Sequence, residues 1–81
     1  MLSCSKEIRT RIRHGIYDLT LEIAEKDYFK KYKSTNIESA KDIINDYLIQ
    51  RRDLGKADNI DIYHDEEKHV IQLTTKLDYN N

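Results

Sequence analysis

Residues 6–24 have the sequence KEIRTRIRHGIYDLTLEIA, and the alternation of apolar and polar side chains within them decides the fold. The segment is predicted to form two strands joined by the turn His14-Gly15, because glycine accepts the positive φ that a tight two-residue turn requires. In that register Ile12 lies opposite Tyr17. The turn fixes the pairing along both strands, so the prediction is a hairpin over the whole segment.

The predicted register divides this hairpin into two faces. One face is almost entirely apolar and carries Ile8, Thr10, Ile12, Tyr17, Leu19, Leu21 and Ile23. The other face is polar and carries Glu7, Arg9, Arg11, Arg13, Asp18, Thr20 and Glu22. Because successive side chains of a strand point to opposite sides of the sheet, we expect the apolar face to pack on the core and the arginines to project outward.

The same segment also fits a helix. The residues that would line one side of that helix are Ile8, Ile12, Ile16, Leu19 and Ile23. Gly15 would then lie inside the helix, at a cost of about 1 kcal/mol. The chain order would become helix, helix, hairpin, which is close to a winged-helix outline. The hairpin is favoured, and this arrangement is the alternative.

The middle of the chain predicts one main helix after a basic and aromatic connector. The connector covers residues 25–34, EKDYFKKYKS, as a helical turn or loop, and the helix covers residues 36–54. The apolar side of this helix is predicted to carry Ile37, Ala40, Ile44, Tyr47, Leu48 and Leu54. Thr35 fits the N-cap, and Glu38 follows three residues later at the spacing of a capping box. Gly55 fits the C′ position, where the left-handed conformation favours glycine.

A second hairpin is predicted over residues 59–79, with residues 65–68 at its connection and His64 paired with His69. The chain is then a single α+β domain over residues 1–81, of order β-β-α-β-β. A small antiparallel sheet packs on one main helix in this prediction. Such a sheet has two edges, and pairing them between two copies would protect them, so a homodimer is expected.

Composition bounds the class of protein. The 81 residues suffice for one small domain, and no apolar run is long enough to cross a membrane. A single cysteine, Cys4, cannot form an internal disulfide, which favours an intracellular, cytoplasmic location. The abundance of Ile, Lys, Tyr and Asn indicates AT-rich codons, which are typical of a low-GC bacterium, its phages or plasmids, or an archaeal virus.

Charge is distributed unevenly along the chain, although the formal net charge is only −1. Residues 1–56 carry twelve Lys and Arg against nine Asp and Glu, a net charge of +3. Residues 57–81 carry two against six, a net charge of −4. No overall basic field draws the protein to nucleic acid, but its two ends are expected to present different surfaces.

Two groups of side chains are candidate contact surfaces. The candidate binding face comprises Arg9, Arg11, Arg13, Lys30, Lys31, Tyr28, Phe29 and Tyr32. The candidate acidic contact comprises Asp65, Glu66 and Glu67. Alternate residues of a strand project at intervals of about 6.6 Å, which is close to the spacing of phosphates along a nucleic-acid strand. The basic face therefore fits nucleic acid as well as an acidic protein.

No motif in the chain predicts an enzyme. A Gly-rich phosphate loop is excluded because there are only two glycines, and two imidazoles, His64 and His69, do not by themselves hold zinc. We therefore expect no catalytic residue, cofactor or metal. The sequence predicts a small regulatory or inhibitory protein, phage- or plasmid-encoded, that binds a protein target. A nucleic-acid-binding regulator that uses the basic face is the alternative.

Overall fold

A computed structural model describes residues 4–80, and residues 1–3 and 81 lie outside this description. The elements in chain order are β1 Lys6–Arg13, β2 Ile16–Ala24, α1 Glu25–Lys31, α2 Ile37–Gln50, β3 Lys56–Asp65 and β4 Val70–Asp78. The α+β class is confirmed, and the predicted connector forms a short helix of its own. Within the described residues, neither helix is long and apolar enough to cross a membrane.

The four strands form one antiparallel sheet in the order β1-β2-β4-β3. β2 and β4 are the central strands, and β1 and β3 are the edges. The connection between the two hairpins runs through α1 and α2, and it places β3 on the far side of β4. Both helices contribute to one core on one face of the sheet, and within residues 4–80 neither helix covers the other face, which we call the open face.

The core consists of inward-facing residues from the two central strands and the two helices. The central strands supply Leu19, Leu21, Ile23, Ile71, Leu73 and Leu77. The helices supply Tyr28, Ala40, Ile43, Ile44 and Leu48. β1 contributes no residue to this core, so the edge strand is held by its ladder with β2 and by polar contacts.

The first hairpin has the predicted turn. His14 and Gly15 connect the strands, and Gly15 has a φ of +76°, a conformation that a side chain disfavours. The Tyr79 N–H donates to the Gly15 carbonyl at 2.8 Å, which joins the turn to the end of β4. Because residues 6–24 form two strands, the winged-helix alternative is wrong.

The register of this hairpin differs from the prediction. Arg11, rather than Ile12, lies opposite Tyr17, and Arg9 lies opposite Leu19. A β-bulge between Arg11 and Arg13 is the reason, since it inserts one residue into β1 without a matching residue in β2. A shift of one residue exchanges the two faces of a strand.

The bulge therefore turns the charged side of β1 toward the helices. Glu7, Arg9 and Arg11 lie on the same face as the core residues of β2, whereas Ile8 and Thr10 lie on the open face. All eight residues of β1 are exposed, so this exchange leaves no buried charge without solvent. Polar partners on α2 and after β4 compensate for the loss of the predicted apolar contacts.

The N-terminal end of α2 is capped one residue later than predicted. Asn36, rather than Thr35, is the N-cap, and its side-chain oxygen accepts the N–H of Ser39 at 2.8 Å. An asparagine in this position satisfies one of the backbone donors that the first helical turn leaves free.

The C-terminal end of α2 lies at Gln50, four residues before the predicted end. Arg52 adopts a φ of +54° and takes the C′ position that was predicted for Gly55. The Asp53 N–H donates to the Leu48 carbonyl at 2.8 Å, and the Arg52 N–H donates to the Ile49 carbonyl at 3.1 Å. This pair of bonds is a Schellman motif, so the chain turns toward β3 earlier than expected.

The second hairpin pairs two residues further along β4 than predicted. His64 lies opposite Ile71 and Asp65 opposite Val70, which leaves residues 66–69 in the connection. Because the shift is even, the inward-facing residues of β3 keep their predicted side. His64 and His69 are therefore not directly paired across the hairpin.

Candidate functional site

Arg9 is the centre of a polar cluster that joins β1 to α2 and to the residue that follows β4. Its Nη1 donates to the Tyr79 hydroxyl at 3.0 Å. Its Nη2 donates to the Tyr47 hydroxyl at 3.2 Å and to the Asp53 carboxylate at 3.1 Å. Burial alone would lower the pKa of Arg9, but the hydrogen bonds with Tyr47 and Asp53 raise it. The charge of Arg9 is thus balanced within the protein.

Asp53 accepts hydrogen bonds from three groups in this cluster. The Tyr79 hydroxyl donates to Oδ1 at 2.7 Å and the Gly55 N–H donates to the same oxygen at 2.9 Å, while Arg9 pairs with Oδ2. Burial alone would raise the pKa of Asp53, but the contacts with Gly55, Tyr79 and Arg9 hold it below its ordinary value. A Cβ on Gly55 would lie 2.7 Å from the Tyr79 ring, so glycine permits this close packing.

Glu7 makes the second connection between β1 and α2. The Tyr47 hydroxyl donates to Glu7 Oε1, and Arg51 Nη1 lies 3.2 Å from the same oxygen. Glu7 and Arg9 are on the helix side of β1 only because of the bulge. The bulge thus supplies the edge strand with its polar attachments to the rest of the domain.

An open groove of about 880 Å³ lies beside this cluster, between β1, the first turn and the segment that leads into β3. Its lining includes Arg11, His14, Tyr17, Leu54 and Tyr79, and we call it the turn groove. The Tyr17 and Tyr79 rings meet edge to face with their centroids 5.7 Å apart. The Leu54 side chain is 93% exposed, although the prediction placed it on the buried side of the main helix.

The turn groove combines three kinds of contact. Within the described residues Arg11 forms no ion pair, which distinguishes it from Arg9. Tyr17 and Tyr79 supply aromatic surface, and Leu54 supplies aliphatic surface that the protein itself leaves in water. This combination suits a ligand that carries a carboxylate or another anion next to an apolar group.

The outer edge of β1 is a second candidate surface. Within residues 4–80, β1 pairs only with β2, so the main-chain groups on its other side have no strand partner. Ile8 is 42% exposed and Ile12 is 48% exposed along this strand. The opposite edge, β3, is interrupted by a bulge between Asp58 and Asp61, which protects it from pairing.

The predicted basic face is divided between the two sides of the sheet. Arg9 and Arg11 lie on the helix side, whereas Arg13 pairs with Ile16 beyond the bulge and lies on the opposite side. Because Arg9 is also occupied by Asp53, the three arginines do not form one row of free cations. This corrects the outward-facing row that the alternating sequence predicted.

The aromatic part of the predicted face is also divided. Tyr28 is fully buried, and its hydroxyl donates to the Ser34 carbonyl at 2.6 Å, so it is a core residue and offers no stacking surface to a ligand. Tyr32 is half-buried and stacks on Tyr28, with the two ring centroids 5.2 Å apart. Phe29 remains 41% exposed. Successive residues of the short helix α1 point to different sides, so the aromatic residues that are neighbours in the sequence do not share one face.

Lys30 and Lys31 are exposed on α1, far from the arginines. β2 runs from the first turn to α1, and eight residue steps of about 3.3 Å separate its ends by about 26 Å. The lysines and Arg11 therefore lie near opposite ends of the sheet. This separation could not be predicted from the run of basic residues, because it arises from the position of α1, which begins directly after β2 ends.

The acidic contact forms the tip of the second hairpin, at the α1 end of the molecule. Glu66 and Glu67 are exposed, whereas Asp65 is half-buried and its Oδ1 accepts the N–H of Lys68 at 3.1 Å. The tip is joined to α1 because the Glu25 N–H donates to the His69 carbonyl at 2.9 Å. The acidic tip thus lies at the same end of the sheet as Lys30 and Lys31, and at the end opposite Arg11.

Glu25 connects both histidines of the second hairpin to α1. Its Oε2 lies 2.6 Å from His64 Nε2, and its Oε1 lies 3.5 Å from His69 Nδ1. Among residues 4–80, no group of three His, Cys, Asp or Glu side chains has a geometry that could hold a metal ion. The two histidines act here as partners of a carboxylate.

The contacts of Glu25 with His64 and His69, which we call the Glu25 clamp, are predicted to be sensitive to acid. The hydrogen bond with His64, followed by that with His69, lowers the pKa of Glu25 below its ordinary value. A depressed folded-state pKa contributes stability above the unfolded-state pKa, and the contribution is lost as pH falls through the folded-state pKa. The protection factor of the Glu25 amide, which compares its exchange rate with that of an unstructured amide at the same pH, is expected to fall in that acidic window, as measured by NMR. Glu25→Gln should abolish this acid dependence and Glu67→Gln, at the exposed tip, should retain it; equal profiles would contradict the clamp.

Sequence reasoning identified only Arg9 and Arg11 in the lining of the turn groove and missed its other residues, among them Tyr17, Leu54 and Tyr79. Tyr17 and Leu54 were assigned to the apolar side of their elements, and Tyr79 to the end of a strand. The one available signal was Gly55, whose position directly after Leu54 marks a close approach of another chain segment. Comparison with protein-family models, curated proteins and solved structures finds no match, so the candidate site stands on its own geometry.

Proposed function

We propose that this protein is a small, non-enzymatic regulatory or inhibitory protein that acts by binding a protein target in the turn groove. The observation that carries the proposal is the Leu54 side chain, 93% exposed beside Arg11 and the two tyrosine rings. Isolated exposed leucines are common on protein surfaces. An exposed leucine that adjoins aromatic rings and an unbalanced cation has the composition of a protein contact.

The target segment is expected to carry a carboxylate and an apolar side chain. Arg11 would pair with the carboxylate, while Leu54 and the ring of Tyr17 would cover the apolar group. His14 lines the same groove and offers a further hydrogen-bonding group. Arg9 and Asp53 support one wall of the groove, so these two residues act in positioning and not in contact.

Nucleic acid is less well supported as the partner. Binding to a phosphate backbone depends on several cations that act together. Here the charge of Arg9 is balanced by Asp53, Arg13 lies on the other face, and the α1 lysines lie near the far end of the sheet. The formal net charge of −1 adds no long-range attraction.

The proposal retains three expectations from the sequence. The protein acts in the cytoplasm, which its single cysteine favours. It is encoded by a phage or plasmid, which its abundance of residues with AT-rich codons favours. It acts as a homodimer. The exposed edge of β1 supports the homodimer, because an unpaired strand edge is a template for another strand.

A peptide-display selection on the intact protein tests the target chemistry. Enriched peptides are expected to combine Asp or Glu with Leu, Ile or Phe within a few residues. Their binding, measured by fluorescence anisotropy, is expected to weaken about tenfold or more for Arg11→Glu and for Leu54→Ser, because each change removes one main contact. Lys30→Glu and Ile49→Ser, which alter exposed residues of α1 and α2, are the matched controls and should bind as the unmodified protein does.

Two results would overturn this function. In the first, the selected peptides bind Arg11→Glu and Leu54→Ser as tightly as the unmodified protein. In the second, a single-stranded oligonucleotide binds at low salt with an affinity that falls steeply as salt is added and that Arg11→Ala and Arg13→Ala remove. Arg9→Ala is unsuitable for either test, because Arg9 holds the edge strand in place.

A further inference from the structure

We infer that two copies of the chain pair in antiparallel fashion along β1, about a two-fold axis through Ile8, to form one continuous eight-stranded sheet. This inference gives a geometry to the homodimer of the proposed function. All eight residues of β1 are exposed, and within the described residues its outer edge has no strand partner. The other edge, β3, contains the bulge at residues 58–61, so β1 is the edge suited to pairing.

The axis through Ile8 places side chains that complement each other in opposition. Ile8 of one copy faces Ile8 of the other on the open face of the sheet. On the helix face, Glu7 of each copy faces Arg9 of the other, which gives two opposite-charge pairs. Directly opposed charges of opposite sign and opposed apolar residues both stabilise antiparallel strands, whereas like charges destabilise them.

Neighbouring registers oppose like charges. An axis through Arg9 pairs Glu7 with Arg11 twice, but it also sets the two Arg9 side chains against each other. An axis through Thr10 sets Arg9 against Arg11 twice, which again opposes like charges. In a third kind of register, Ile8 of one copy faces Glu7 or Arg9 of the other. Such a register would put the helices of the two copies on opposite faces of the joined sheet. The charge pattern of β1 thus selects the axis through Ile8.

The bulge fits the same register. Pairing about Ile8 uses residues 5–11, and the bulge begins only after Arg11. The paired segment is therefore the regular part of the strand, and the bulge ends it. Across the axis the partner's Arg9 would join Glu7, which already accepts a hydrogen bond from Tyr47 and pairs with Arg51 at 3.2 Å. The polar clusters of the two copies would become one network.

Solution mass provides the first test. Light scattering of the unmodified protein in the high-micromolar range is expected to give twice the 9.7 kDa mass of the chain. Ile8→Lys opposes two ammonium groups on the axis and is expected to raise the dissociation constant about tenfold or more. Ile49→Lys, which alters a 70% exposed isoleucine on α2, is the matched control and should remain dimeric. A monomeric mass for the unmodified protein would overturn the inference.

Cross-linking tests the register independently of how Ile8→Lys folds. In a Cys4→Ser background, a cysteine in place of Ile8 lies opposite its own copy, with Cβ atoms about 4.5–5.5 Å apart. Mild oxidation or a short thiol crosslinker should then yield a covalent dimer. A cysteine in place of Thr10 would lie about 13 Å from its copy and should remain uncrosslinked. A covalent dimer at position 10 and not at position 8 would overturn the register while leaving both the homodimer and the peptide-binding groove standing.

Discussion

Replacing Tyr28 with alanine is expected to lower the free energy of unfolding by about 3–5 kcal/mol, which would leave much of this small domain unfolded. Tyr28 is fully buried between the helices and the sheet and is the largest of the fully buried side chains. Its removal would leave a cavity. It would also leave the Ser34 carbonyl without the hydrogen bond that the Tyr28 hydroxyl donates to it at 2.6 Å. Thermal and urea denaturation followed by circular dichroism would measure the loss.

Two further variants separate packing from hydrogen bonding at this position. Tyr28→Phe keeps the ring and is expected to cost only about 1 kcal/mol, the net value of one buried hydrogen bond. Phe29→Ala removes the neighbouring aromatic ring, which is 41% exposed, and is expected to cost less than Tyr28→Ala. Equal losses for Tyr28→Ala and Phe29→Ala would show that Tyr28 is not a core residue.

Asp53→Ala has the second-largest expected effect and should lower the free energy of unfolding by about 2–3 kcal/mol. The Asp53 side chain is only 10% exposed and accepts hydrogen bonds from Arg9, Tyr79 and the Gly55 amide. Its removal would leave the Arg9 guanidinium without its anion. Breaking one side of a buried ion pair commonly costs more than this, and the 30% exposure of Arg9 reduces the value here. Chemical denaturation in water at neutral pH would measure the loss.

A double-mutant cycle with Arg9→Ala would show whether the pair acts as a unit. The double variant is expected to be less destabilised than the sum of the single variants, because each single change already breaks the same contact.

The pKa of Asp53 is lowered in the folded state, so the contribution of Asp53 to the free energy of unfolding also depends on pH. This contribution is complete above the unfolded-state pKa and is lost as pH falls through the folded-state pKa. Strictly additive losses and an unchanged acid limb for Asp53→Ala would contradict the cluster.

The elements of this fold follow from local sequence signals, but the faces of β1 do not. Gly15 marked the first turn correctly, and the apolar stripe that includes Ile44 and Leu48 marked α2. The alternation of Ile8 and Ile12 with arginines then predicted a regular ladder. The bulge that overturns it is stabilised by contacts of Arg9 with Asp53 and other residues distant in the chain. No local pattern in residues 6–24 contains that information.

The candidate site was only partly predictable for the same reason. Arg11 is exposed as predicted, but it lies on the helix side of the sheet and not on the outer side. Leu54 was assigned to a buried stripe because the helix was extended past its end, which the left-handed Arg52 sets. An arginine in that conformation is uncommon, and the glycine three residues later was the stronger local signal. The groove arises where three chain segments meet, and that meeting depends on tertiary contacts.

Since β1 adds nothing to the apolar interior, it forms a separable cooperative unit. Peeling it from β2 breaks one ladder and the Glu7 and Arg9 contacts, while the helices and the remaining three strands keep their packing. The free energy of that partial opening is therefore smaller than that of global unfolding. In the monomer, amide protons along β1 should consequently exchange with solvent faster than those of β4, and each opening event briefly uncovers the backbone edge of β2.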